Sequence, residues 1–202
     1  MIAAGTWHVT RSAGWVAWLL LGCSVVWGAL AAGRMVAGRT MPRWLLELHR
    51  HLSWLTVALL AVHLGALLAD DYVEFGIADV VLPGASAWRT TAIAWGVIAL
   101  WLVAIVQLSS LPQLRVPRRW WRRLHLLSYP AWCLAALHAV QAGTDAGTTL
   151  ARLLVAVMVT AVTFVVFGRV LQLGRARGPR HRPAAPDQSA SIHRAQPVRS
   201  GR

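Results

Sequence analysis

Charge is scarce in this chain: 13% of its 202 residues are charged, against about 25% in ordinary soluble domains. Lysine is missing altogether, so each of the 20 basic residues is an arginine. Cysteine is confined to Cys23 and Cys133, each inside an apolar stretch and with no CxxC spacing. That pattern indicates neither a zinc site nor a redox dithiol, and leaves two small buried hydrophobes. No nucleotide-binding glycine loop occurs, so neither FAD nor NAD is expected on this chain. A Ser/His/Asp set and a carboxylate pair are also lacking, which takes hydrolysis out of consideration.

What is abundant is apolar sequence, 57% of the chain, gathered into long blocks. A membrane helix needs about 20 mostly apolar residues. Five stretches meet that length: 13–32, 44–68, 90–108, 120–140 and 148–171. Pro42, Pro112 and Pro117 punctuate the links between them, where a missing N–H costs little at a helix start. The expectation is an all-α membrane protein, a bundle of about five transmembrane helices forming one domain over residues 1–172. Residues 173–202, rich in Arg, Pro, Ser and Gln and nearly free of apolar side chains, are expected to be a disordered tail.

The net charge of +13 suits nucleic acid only if it is spread over a soluble face, and it is not. Arg34, Arg39, Arg43, Arg115, Arg118, Arg119, Arg122 and Arg123 fall in the links after the first and third spans, and eight more follow Phe167. The alternate links carry Arg11, Arg89 and Arg152 with Asp70, Asp71, Glu74, Asp79 and Asp145. Positive charge marks the cytoplasmic side. The reading is a multi-pass plasma-membrane protein with its N-terminus outside, its tail in the cytoplasm near anionic lipid, and no nucleic-acid partner. The first span also resembles a cleaved signal peptide, with Arg11 before it and Ala29-Leu30-Ala31 near its end. Cleavage, however, would leave the arginine-rich link 34–43 outside, against the charge pattern.

The chemistry lies with histidine. Five of the eight fall in two spans: His49, His51 and His63 in the second, His125 and His138 in the fourth. Ionisable groups at membrane depth are costly and usually functional. His49 and His63 are 14 residues apart, so about 21 Å along a helix and only about 40° apart around it. His51 is about 120° from His63 and fits worse. His125 and His138, 13 apart, differ nominally by about 140°, with Pro130 between them to kink or rewind the helix. Spans two and four run parallel, so His49 pairs in depth with His125, and His63 with His138. A six-coordinate haem iron takes one imidazole on each axial side, which two facing helices supply. Two haems b are expected, one per pair, with a single haem as the alternative count. Arg50, Arg122 and Arg123 are placed to meet the propionates of the inner one.

His49-Arg50-His51-Leu52, running on to His63, resembles the first haem-ligand helix of the ferric reductase and NADPH oxidase transmembrane superfamily. Trp121-Arg122-Arg123-Leu124-His125-Leu126-Leu127-Ser128-Tyr129, running on to His138, resembles the second. It is especially similar to the haem-binding membrane subunit of the bacterial methionine sulfoxide reductase system. The resemblance covers roughly 44–141 and implies haem b, the four histidines as axial ligands, and transmembrane electron transfer. It departs from the family in having five spans where six are common, and in lacking a C-terminal flavin and nicotinamide domain. The donor is therefore expected to be quinol or a separate flavoprotein. The acceptor outside is expected to be a ferric chelate, oxygen or a partner oxidoreductase. The rival reading is a non-redox metal-ion or proton transporter using the same histidines, since imidazole also suits zinc and copper.

Overall fold

The computed structural model describes residues 2–32, 43–70 and 75–176. All regular structure among them is helical: α1 (Ile2–Ala32), α2 (Arg43–Leu68), the short α3 (Ile77–Val81), α4 (Thr90–Ser109), a 3-10 turn at Pro112–Leu114, α5 (Arg118–His125), α6 (Ser128–Ala142) and α7 (Thr149–Ala176). Four of these are long and apolar enough to cross a membrane, over Gly5–Ala32, Arg43–Leu68, Thr90–Ser109 and Thr149–Gln172. α1 begins well before the expected position 13, and α7 continues past 171 to Ala176. The link arginines Arg34 and Arg39, the acidic Asp71 and Glu74, and the tail from residue 177 on lie outside the described residues.

The expected continuous span 120–140 is instead two helices, α5 and α6, joined at Leu126 and Leu127. Pro130 accounts for the break. It has no N–H to give to the carbonyl of Leu126, four residues earlier. That carbonyl accepts instead from the Tyr129 N–H at 3.2 Å, a three-residue step. Two further three-residue steps, Leu126 to Arg123 at 3.2 Å and Leu127 to Leu124 at 3.0 Å, precede it. Leu126 (φ −66, ψ −19) and Leu127 (φ −64, ψ −13) have the dihedrals of a 3-10 turn. Such a turn winds about 20° more per residue than an α-helix. Three such steps therefore remove about 60° of the nominal mismatch between His125 and His138.

The helices pair before they bundle. α1 packs along α2 and also touches α6 and α7; α4 packs along α6 and touches α3 and α5. Each histidine-bearing helix thus lies against its own partner, α2 on α1 and α6 on α4. A buried cluster of Trp18, Val25, Trp132 and Val162 ties α1, α6 and α7 together, with Trp18 and Trp132 stacked at 5.7 Å. Tyr129 packs against this cluster. A second cluster of Phe75, Ile93 and Val97 seals the end near α3. Large apolar side chains such as Trp54 and Leu55 on α2, and Phe164, Phe167 and Val170 on α7, are exposed. An exposed apolar surface of that extent suits hydrocarbon rather than water. Cys23 is half-buried, whereas Cys133 is exposed on this outer surface, not buried as its apolar surroundings suggested.

Candidate functional site

α2 runs unbroken from Arg43 to Leu68, so His49 and His63 keep the common face that their spacing requires. The structure brings both predicted pairs together. The ring centres of His49 and His125 are 5.9 Å apart with planes at 68°. Those of His63 and His138 are 6.4 Å apart with planes at 80°. Two imidazoles that each hold a nitrogen about 2 Å from one shared metal have ring centres about 6 Å apart. His51 lies apart, exposed, with its Nδ1 donating to the Glu47 carbonyl of its own helix at 2.7 Å.

Three of the four imidazoles are fixed from behind. Nδ1 of His63 donates to the Thr10 carbonyl at 2.7 Å, Nδ1 of His138 to the Ala92 carbonyl at 2.9 Å, and Nδ1 of His49 to the Ser24 carbonyl at 3.0 Å. A carbonyl can only accept, so Nδ1 carries the proton and Nε2 keeps its lone pair for a ligand. Around His49 the network closes on itself. Ser24 Oγ lies 3.1 Å from His49 Nδ1 and 2.9 Å from Ser53 Oγ, and Ser53 Oγ donates to the His49 carbonyl at 2.9 Å. His125 differs: its Nδ1 is buried with no hydrogen-bond partner among the described residues, and its ring lies against Trp121, 4.9 Å away and 26° from parallel.

A cavity of about 1270 Å³, its open mouth included, surrounds the His63–His138 pair. Its walls are mostly apolar, from α1, α2, α3, α4 and α6, with Arg11 and Asp79 among the lining residues. Arg11 is ion-paired with Asp145 of the α6–α7 link. Arg50, Arg122 and Arg123 are exposed near the other pair, and the Arg123 guanidinium lies 5.2 Å from the Trp120 ring centre. Among the described residues no three His, Cys, Asp or Glu side chains come together as a metal-ion site. Two imidazoles alone leave most of a metal's coordination sphere to be filled, which suits an iron already held in the plane of a macrocycle.

Sequence reasoning missed the residues behind the rings. Thr10, Ser24 and Ala92 act through backbone carbonyls, which leave no side-chain signature. Gly14, Gly28 and Gly96, each beside one of the fixed histidines, read in sequence only as ordinary small residues of membrane helices.

Residues 13–136 match the family described as ferric reductase like transmembrane component, a stretch that includes His49, His63 and His125 and stops two residues short of His138. No curated protein and no solved structure matches the chain.

Proposed function

The chain belongs to the ferric reductase-like transmembrane component family, and on that premise we propose that it is the haem b-binding, electron-transferring membrane part of an oxidoreductase. The observation that carries the reading is the pair of facing imidazole pairs, with ring centres 5.9 and 6.4 Å apart. His49 with His125 and His63 with His138 would each hold one iron between α2 and the α5–α6 pair. Haem bound there supplies reversible one-electron chemistry, and two imidazoles on one iron leave no open position, which favours electron transfer over oxygen binding.

The protein's own contribution is position and electrostatics. The carbonyls of Thr10, Ser24 and Ala92 hold three rings in the tautomer that presents Nε2. The apolar walls around His63 and His138 exclude water and lower the local dielectric. Arg50, Arg122 and Arg123 supply charge for propionates at the inner pair. The arginine distribution supports an orientation with that end, and the tail, at the cytoplasmic face of the plasma membrane and the N-terminus outside. Electrons would enter from quinol or a separate flavoprotein and leave outside to a ferric chelate, oxygen or a partner oxidoreductase, with no FAD or NAD on this chain. The metal-ion transporter reading is the weaker one, because two imidazoles are too few ligands for a free ion.

The test is a dithionite-reduced minus oxidised visible spectrum of the purified protein, with a pyridine haemochrome assay for haem per chain. A low-spin b-type spectrum with two haems is the expected result. No haem after haem-replete expression overturns the reading.

A further inference from the structure

The groups behind the histidines recur in one pattern. On α1, Thr10 gives its carbonyl to His63, and Gly14 lies four residues on. Ser24 gives its carbonyl to His49, and Gly28 lies four residues on. The two sets are 14 residues apart, the same separation as His49 and His63 on the neighbouring α2. On α4, Ala92 gives its carbonyl to His138 and Gly96 lies four residues on. The step of four has a physical reason. Helical side chains lean toward the N-terminus and cover the turn before their own Cα. A side chain at the fourth position would therefore lie over the carbonyl that the imidazole needs, and glycine leaves it open. A Cβ at Gly96 would meet His138 Nδ1 at 2.7 Å, one at Gly14 would meet His63 Nδ1 at 2.9 Å, and one at Gly28 would meet His49 Cε1 at 3.1 Å.

A fourth place in this pattern exists and is built differently. Fourteen residues beyond Ala92 and Gly96 stand Val106 on α4 and Ser110 just past its end, level with His125. Here the glycine position carries a hydroxyl. Ser110 Oγ and Ser109 Oγ both donate to the Val106 carbonyl, at 2.8 and 2.9 Å. Trp121 Nε1 donates to Ser110 Oγ at 3.2 Å and holds the indole against the His125 ring. The carbonyl is taken, and His125 Nδ1 is left without an acceptor.

We infer that the carbonyl-and-glycine step on α1 and α4 is a seat for an axial histidine, and that its replacement by Val106, Ser110 and Trp121 at the fourth position makes the inner iron easier to reduce than the outer one. Gly14, Gly28, Gly96 and Trp121 are positioning residues, acting on the metal through the imidazole. An Nδ1–H bond to a carbonyl makes imidazole a more basic ligand, and a more basic ligand favours ferric over ferrous iron. The outer pair has two seated imidazoles and the inner pair one. The nearby charges add to this at the inner end, where Arg50, Arg122 and Arg123 lie within three residues of the inner histidines; the outer cavity is lined by one charge of each sign, Arg11, itself paired with Asp145, and Asp79.

The inference rests on the haem-binding reading, and one set of measurements separates the two. The full-length protein and its Gly14→Ala, Gly96→Ala, Gly28→Ala and Trp121→Phe variants are compared by haem per chain, low-spin electron paramagnetic resonance and redox titration. His63→Ala identifies the signal of the outer haem, and Gly65→Ala, whose Cβ meets nothing within 4 Å, is the control. The wild type should titrate in two steps with the inner haem reduced first. Gly14→Ala and Gly96→Ala should shift the resonance and potential of the outer haem alone, or lose it and bring haem per chain from two to one. Gly28→Ala, with the loosest contact, should keep both haems and shift only the inner signal, as should Trp121→Phe. Gly65→Ala should match the wild type. A wild type holding two haems while the three glycine variants match it in resonance and potential overturns the seats and leaves the function standing. A wild type in which the outer haem is reduced first overturns the assigned asymmetry. A wild type without haem overturns the function and the seats together.

Discussion

Removing His138 should empty one site and leave its neighbour intact, in a way that a free imidazole can reverse. The two pairs share no residue, and 14 positions of α2 separate His49 from His63, about 21 Å along the axis. On the proposed assignment, His138→Ala would remove one of the two imidazoles that hold the outer iron and touch nothing at the inner pair. The substitution leaves the Ala92 carbonyl, 2.9 Å from the lost Nδ1, without its donor, in a cavity wide enough to admit a small heterocycle. Free imidazole brings the same ring and the same N–H. Its association costs at least about 4 kcal/mol of entropy that the tethered side chain does not lose, a factor of about a thousand in affinity, so a large excess of free imidazole is needed. Purified His138→Ala should contain about one haem per chain, with only the inner resonance. Expression and purification in tens of millimolar imidazole should bring the second haem back. Two haems without imidazole would refute the ligand assignment. Loss of both haems from a variant that still elutes as a folded monodisperse species would refute the independence of the pairs.

Three other outcomes follow from the packing. Trp132, 4% exposed and stacked on Trp18 at 5.7 Å, should cost about 3–5 kcal/mol when replaced by Ala, read as a lowered melting temperature in detergent. Trp132→Phe should cost less, because the buried indole N–H that it removes has no acceptor, and equal losses for the two variants would contradict this. Asp145→Asn should change stability by no more than about 1 kcal/mol, since its pairing with Arg11 is partly exposed; a collapse of the fold would show that the ion pair is structural. A C-terminal reporter active only in the cytoplasm should give signal, and one active only outside should not; the reverse would invert the orientation drawn from the arginines.

Apolar length and histidine spacing made much of this molecule legible. α2 is uninterrupted, so rotation per residue placed His49 and His63 on one face and set His51 aside. The same arithmetic failed for His125 and His138, because the three-residue hydrogen bonds around Leu126 and Leu127 rewind the chain by an amount that Pro130 signals but does not quantify. That break also divided the fourth expected span, leaving four helices among the described residues long enough to cross a membrane. The groups that fix the rings were not legible at all. Gly14 is an ordinary membrane-helix residue until α1 is laid against α2 and a Cβ there would meet an imidazole at 2.9 Å. The missing partner of His125 likewise depends on Ser109 and Ser110 turning back onto Val106.

The matched 14-residue registers of α1 and α2 also limit how this gene can change. One codon inserted between Gly14 and Ser24 would rotate everything beyond it by about 100° and advance it by about 1.5 Å. Thr10 and Gly14 could stay under His63, but Ser24 and Gly28 would then turn away from His49. A deletion would do the same in the opposite sense. Substitutions along the exposed flank of α1 leave the register alone. The helix is therefore free to vary in composition and frozen in length, and insertions and deletions among descendants of this sequence should collect in the links instead.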